Sequence, residues 1–261
     1  MLVIGGFDPS GAGLQADIET CAALGTHALP IATAITIQNT ARVARIVPLA
    51  AEDVFDQITH LIADTATPAV CKIGMLPNHT VLNAIIGALT QLPRTMPILL
   101  DPVLNASSGA RFSDPQTLNA LQQWLPRVTL FKPNLAEARQ IIPPNTELSD
   151  IGRALHVAGC RYTLLSGGDE AIDDQVRHVL YRDGTEFASY TWPYQAGRFH
   201  GSGCTLTTAI ASFVALGHTI EASVAAAQAY TWHTIANAYS IGARQAIPAR
   251  NTAATRVYDS R

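Results

Sequence analysis

The chain has 261 residues, 48% of them hydrophobic and 14% charged, with a formal net charge of -3. That is length enough for one sizeable core and too apolar for an intrinsically disordered chain, and it excludes a nucleic-acid role that rests on bulk electrostatic attraction. Its cysteines, Cys21, Cys71, Cys160 and Cys204, form no Cys-x-x-Cys pair, so neither a zinc knuckle nor a dithiol motif is supported, and buried reduced thiols are expected.

From Met1 the sequence enters an apolar strand, LVIGGF, without a basic leader. No apolar run approaches membrane-spanning length, so a soluble, cytoplasmic protein with no membrane partner is expected. The helical GLQADIETCAALG follows, then the strand ALPIATAITI, the helix AAEDVFDQITHLIADT and the strand AVCKIGML. The alternation continues through TVLNAIIGALTQL, PILLDPV, TLNALQQWL, VTLFKPN, LSDIGRALHVAG and RYTLLSGG. Strand and helix in turn predict βαβ units. Strands apolar on both faces, such as PILL, predict a mainly parallel sheet covered by helices on both sides.

From about Gly168 to His200 the pattern changes, and HVLYRDGTEFASYTW reads as two strands around an Asp-Gly turn, an antiparallel edge. Two helices close the chain: TLTTAIASFVALG, with Leu206, Ile210, Phe213 and Val214 on one face and Gly217 at its end, and IEASVAAAQAYTWHTIANAYS. The final AIPARNTAATRVYDSR lacks apolar periodicity and is expected to be partly loose. With no repeat and no linker, a single domain over residues 1–261 is expected.

In such a sheet, ligands gather at the carboxyl ends of the strands. The residues there are polar: Asp8, Gln38 and Asn39, Lys72 with Met75, Asp101, Asn134 and Ser166. Each taken singly reads equally well as a turn former or a cap. In GGFDPSGAGLQAD, Gly6 and Gly11 have the spacing of a phosphate-binding P-loop, but Ala12 and Gly13 stand where Lys and Ser or Thr are needed. The dinucleotide fingerprint over Gly11, Gly13 and Ala16 also fails, because no acidic residue follows about 20 residues on. What remains is either a plain turn or a backbone that closes on a ligand, with Asp17 on the next helix.

The second cluster, Gly201-Ser202-Gly203-Cys204, opens a helix directly. The amides of Ser202, Gly203 and Cys204 could converge on one anion, with glycines letting the backbone approach. Close helix packing around a small core cysteine is the competing reading. His200 reads as a solvated or structural residue ahead of a site group. Asp101, and Glu137 with Asn134, suit magnesium and phosphate chemistry, although Asn134 and Glu137 also spell a helix capping box.

Together GGFDPSGAGLQAD, TAITIQNT, KIGML, LDPV, KPNLAEA and HGSGCT, in this order, resemble the hydroxymethylpyrimidine and phosphomethylpyrimidine kinases of thiamin biosynthesis, within the ribokinase-like superfamily. The resemblance runs from Val3 to about Ala238. It implies a three-layer α/β/α fold, ATP and magnesium as cofactors, a homodimer, and a small pyrimidine, 4-amino-5-hydroxymethyl-2-methylpyrimidine, as substrate. The monophosphate of that pyrimidine is a further candidate. Cys204 would stand in the base position beside the hydroxymethyl group, with Gly201, Ser202 and Gly203 as the anion hole. Gly6, Ala12, Asp17, Gln38, Met75 and Val103 match substrate-pocket positions, with Gln38 on the aminopyrimidine. Asp101 and Glu137 match the metal region, and Asn134, Lys132 and Ser166 the nucleotide region. A vitamin B6 kinase is the nearest rival, since pyridoxal also carries a hydroxymethyl group on a flat ring. A pyrimidine-binding regulatory protein is the second, and a nicotinamide dehydrogenase a distant third.

The sequence departs from the family pattern at several positions. DPSGAG is one glycine shorter than the usual loop. Ser107 and Ser166 stand where lysines are usual, Asp169 replaces a histidine, and Lys132 replaces a threonine. Two cationic positions are lost, and Lys132 could supply charge from another direction.

Overall fold

The computed structural model describes residues 1–104, 114–167 and 174–251; Ser107 and Asp169 fall outside them. Among these residues, nine strands form one sheet in the order β3-β2-β1-β4-β5-β6-β7-β8-β9. They are β1 Leu2–Phe7, β2 Leu29–Gln38, β3 Val43–Pro48, β4 Cys71–Ile73, β5 Ile98–Leu100, β6 Leu130–Phe131, β7 Tyr162–Leu165, β8 Gln175–Arg182 and β9 Thr185–Pro193. From β2 to β7 every neighbouring pair is parallel. The expected hairpin is present as β8 and β9, and its turn places Asp183 at φ 51° and Gly184 at φ 80°, the left-handed pair that suits twisted strands. A second antiparallel edge, β3 against β2, was not foreseen: VARIVP carries one arginine, Arg45, and no clean alternation, as befits an exposed edge.

Helices α1 Gly13–Ala23, α7 Ser202–Ala215 and α8 Ile220–Ala236 cover one face; α2 Ala51–Asp64, α3 His79–Leu89, α4 Pro115–Trp124, α5 Leu135–Ile141 and α6 Ile151–Val157 cover the other. Strand alternation divides the core between them. Leu2, Ile4, Cys71, Ile73, Ile98, Leu100 and Phe131 point to the α2–α6 side, while Val3, Leu99, Leu130 and Leu164 point to α1, α7 and α8. This is the three-layer α/β/α arrangement. Among the described residues, no helix is long and apolar enough to cross a membrane.

Of the segment expected to be partly loose, the described part, through Asn251, is packed onto the fold. Strand β10, Tyr239–Ser240, pairs with β11, Ala246–Ile247; Ile247 is buried and Arg250 is among the largest fully buried side chains. Its anchor is ionic and hydrogen-bonded, so apolar periodicity carried no sign of it.

β1 is flanked by β2 on one side and β4 on the other, so the chain reverses its direction of winding there. A crevice opens at such a switch point, beyond the carboxyl ends of the strands.

Candidate active site

Two glycine loops meet at that crevice. In the first, Gly13 opens α1 at φ 55°, where a β-carbon would lie 2.1 Å from the Gly6 carbonyl oxygen. Only glycine allows α1 to start this close to β1. In the second, Gly201 caps α7 at φ 80°, and a β-carbon on it would lie 2.6 Å from the Gly11 carbonyl oxygen and 3.0 Å from Ala12 Cα. The Gly13 N–H faces the Cys204 sulfur. Gly6, Ala12, Gly201 and Cys204 are therefore brought together. Met75 closes the same corner, since a side chain at Gly6 would meet its sulfur at 2.9 Å. Val103 lies just past β5 with φ 38°, a strained conformation for a β-branched residue.

The α7 N-terminus keeps fewer free amides than the sequence suggests. The Ser202 N–H and hydroxyl both turn back to the Phe199 carbonyl, and the Thr205 N–H bonds the Gly201 carbonyl. Those of Gly203 and Cys204 have no partner among the described residues and carry the positive end of the helix dipole.

The whole chain contains only two lysines among its 17 Lys and Arg residues, and both are buried at this site. Lys72, in β4, donates to both Asp17 carboxylate oxygens at 2.9 and 2.8 Å, and Thr208 of α7 donates to Asp17 Oδ1 at 2.6 Å. Burial works against the Lys72 charge, but Asp17, then Cys204 and Asp101, outweigh it and hold the ammonium protonated. Asp17 is thus fully buried and its carboxylate is occupied. It supports the floor under Gly5 and Met75 and is not an open ligand for substrate in this arrangement.

Lys132 follows β6 and lies 3.2 Å from Asp101 Oδ1, while Thr207 donates to Asp101 Oδ2 at 3.2 Å. A β-carbon at Gly203 would sit 3.2 Å from the Lys132 Nζ, so this ammonium is packed against the first turn of α7. Burial disfavours its charge, yet Asp101, Glu137 and Cys204 raise its pKa.

Asn134 and Glu137 form the predicted capping box of α5. Glu137 also accepts the Leu104 N–H at 3.0 Å, so both of its oxygens already serve the backbone. Burial and the nearby Asp101 raise its pKa. No cluster of three or more His, Cys, Asp or Glu side chains suited to a metal occurs among the described residues. Asp101 is already engaged by Lys132 and Thr207 and Glu137 by two backbone N–H groups, so a magnesium ion beside them would be held mainly by water and phosphate oxygens, the usual pattern for that ion, and not caged. Ser166 pairs by backbone with Asn134 and donates its hydroxyl to the Pro133 carbonyl, which places it beside the start of α5.

Cys204 is half-buried, and all four cysteines are free thiols. Burial pushes the Cys204 thiol above its ordinary range; Lys72 opposes this, while Asp17 and Asp101 add to it. Opposite it, Gln38 ends β2 and reaches Asp8 and His200. Sequence reasoning underrated two residues here. His200 is bonded to Asp8 at 2.5 Å, and Arg250 spans both loops, donating to Gly11 O, Thr205 Oγ1 and Glu19 Oε2 at 2.7 to 2.8 Å. The lone arginine in AIPARN could have signalled this only through its apolar flanks.

Residues 8–249 match the family model described as phosphomethylpyrimidine kinase. The chain belongs to the phosphomethylpyrimidine kinase family. It is a phosphotransferase of thiamin biosynthesis by that membership. A hydroxymethylpyrimidine/phosphomethylpyrimidine kinase of Mycobacterium bovis is 34% identical over 253 residues, covering 93% of this chain and 90% of the relative. A bifunctional thiamine biosynthesis protein of Geobacter sulfurreducens is 33% identical, and the chain, 93% covered, spans about half (50%) of its length. Among solved structures, pyridoxal kinase of Staphylococcus aureus in complex with ADP superposes with a TM-score of 0.86 at 23% identity, over 98% of this chain and 94% of the other. At that identity it speaks for the fold alone. A phosphomethylpyrimidine kinase of Clostridium difficile gives 0.73 at 28% identity, over 88% and 96%.

Proposed function

We propose that this chain, acting as one domain over residues 1–261, transfers the ATP γ-phosphoryl to the hydroxymethyl group of 4-amino-5-hydroxymethyl-2-methylpyrimidine, and then phosphorylates the monophosphate. The observation that carries the proposal is the free pair of amides at Gly203 and Cys204, with the Lys132 ammonium packed against the same helix turn. Phosphoryl transfer asks for little covalent chemistry from the protein; fixed dipoles and charges aimed at the equatorial oxygens supply most of the rate. Lys132 takes over the cationic role that Ser107 and Ser166 leave open. Asp101 and Glu137 border the place where a magnesium ion bound with ATP would neutralise phosphate charge. Asn134 and Ser166 border the nucleotide side.

On the substrate side, Gly6, Ala12, Met75 and Val103 shape a slot for a flat ring, and Gln38 meets its polar edge. Cys204 lies beside the hydroxymethyl group and takes its proton as the phosphoryl arrives. A hydroxyl held in line with the phosphoryl in that slot would lower the entropic part of the barrier.

The sequence relatives support the pyrimidine over pyridoxal. The deciding experiment supplies ATP and magnesium with either hydroxymethylpyrimidine or pyridoxal and counts the phosphates on each product by mass. Two successive additions to the pyrimidine are expected. Turnover of pyridoxal alone would overturn the reading, and tight pyrimidine binding without ADP release would make the chain a regulatory protein.

A cytoplasmic homodimer is part of the proposal. Phe7, Ile35 and Val47 are paired across β1, β2 and β3 and all exposed, with Ile37 two residues along the same face; this apolar row is the surface we assign to the second copy. Sedimentation of the native chain against Ile35→Glu checks it: the variant is expected to be monomeric.

A further inference from the structure

Asp8 stands just beyond β1 with its hydrogen-bonding capacity fully used. Its Oδ1 accepts the Ser10 N–H at 2.7 Å and the Ser10 hydroxyl at 2.6 Å. Its Oδ2 accepts from the Gln38 side-chain amide and from His200 Nε2, the latter at 2.5 Å. The carboxylate is 4% exposed. Burial alone would raise its pKa, but the bonds from His200 and Ser10 outweigh burial and hold it below the ordinary range.

An ionised carboxylate only accepts hydrogen bonds. His200 must therefore carry a proton on Nε2. Gln38 must turn its NH2 group toward Asp8, because the reverse orientation would press Oε1 against Oδ2, two acceptors in contact at a site nearly closed to water. Gln38 Nε2 lies 3.0 Å from His200 Nε2, as two N–H groups converging on one oxygen should. The Gln38 Oε1 is left with no hydrogen-bond partner among the described residues. An amide that is free to flip reads donors and acceptors alike; this one is locked.

We propose that Asp8 and His200 are positioning residues that fix the Gln38 carbonyl as an acceptor toward the ligand, so that the site selects a heteroaromatic alcohol carrying an N–H donor beside its hydroxymethyl group. The inference rests on the pyrimidine reading above and deepens it. The aminopyrimidine has an amine on the ring carbon next to the hydroxymethyl-bearing one. Pyridoxal has an aldehyde there, whose oxygen would face the Gln38 oxygen. A site built to bond an N–H rejects analogues that lack it, because its own buried polar group is then left unpaired.

The test compares kcat/KM for hydroxymethylpyrimidine with that for the same compound carrying methoxy in place of the amine. It uses the native protein, Asp8→Asn and His200→Gln, with melting curves for each. The native protein is expected to favour the amine by about tenfold or more. In Asp8→Asn, whose carboxamide can also donate, Gln38 is free to reverse, and the preference should shrink to about threefold or less. His200→Gln should shrink it in the same direction, and it carries the test if Asp8→Asn does not fold. A merely structural role would lower both substrates equally, so an unchanged ratio in a folded variant overturns the inference. So does a native protein indifferent to the amine. If the native protein phosphorylates pyridoxal and not the pyrimidine, the functional reading itself falls.

Discussion

Arg250 and Gly11 lie 239 residues apart and are joined by a 2.8 Å hydrogen bond from the guanidinium to the Gly11 carbonyl. The same guanidinium reaches Thr205 on α7 and Glu19 on α1, and Tyr230 of α8 donates to the Arg250 carbonyl at 3.1 Å. One buried cation thus fastens the C-terminal segment to both glycine loops. Its planar fork is what allows three directions at once.

Arg250→Ala should therefore be costly. Breaking a buried ion pair by removing one partner costs about 3–5 kcal/mol, here a fall of roughly 10 °C in Tm. Arg250→Lys should recover only part of this, since an ammonium cannot reproduce the fork. Thermal unfolding of both variants checks it; equal Tm values for native and Arg250→Ala would show that the clamp does not hold the tail.

Lys132→Met removes the ammonium beside Gly203 while keeping most of the side-chain volume. Loss of one fixed charge at a developing phosphoryl charge costs on the order of 10²–10³ in kcat. The KM for the pyrimidine should move little, because Lys132 does not border Gln38 or Met75. Steady-state kinetics with pyrimidine and ATP varied in turn would show the split. A kcat within about twofold of native, by the same reasoning, would exclude Lys132 from the transfer step.

The pH profile bears on Cys204. Burial, reinforced by Asp17 and Asp101 against the opposing Lys72, keeps its thiol protonated at neutral pH. A base that must first ionise gives a rate rising about tenfold per pH unit below its pKa, so log kcat/KM should climb between about pH 7 and 9. Cys204→Ala should be slower and flat over that range. A flat native profile would leave Cys204 as a contact and not a base.

His178 predicts acid sensitivity of the fold. Its Nδ1 lies 3.0 Å from Gln228 Oε1, and burial, with Lys132 nearby, pushes its pKa down to about 4. The unfolded chain takes up this proton near pH 6.5, so this group costs nothing well above that value. The native state loses stability as pH falls from there toward 4, by about 2–3 kcal/mol. Urea unfolding of native protein and His178→Gln at pH 7.5 and 4.5 should show a smaller loss in the variant; identical losses would place the acid sensitivity elsewhere.

The sequence by itself determined the layers, the parallel sheet and the glycine loops, because each is written in local periods and turn chemistry. LVIGGF and PILL read as strands, PILL apolar on both faces, and Gly201-Ser-Gly-Cys reads as the opening of a helix. The capping box of Asn134 and Glu137 was legible for the same reason. Tertiary structure alone decided which side chains are spent on one another. Lys72 takes Asp17 out of the open pocket, Ser202 turns to Phe199, Asp8 turns Gln38, and Arg250 binds a tail that looks loose in one dimension. These are charges and hydrogen bonds between residues distant in sequence. Their energies depend on burial and on short distances that no local pattern encodes, whereas helices and strands follow from neighbours three, four or two residues away.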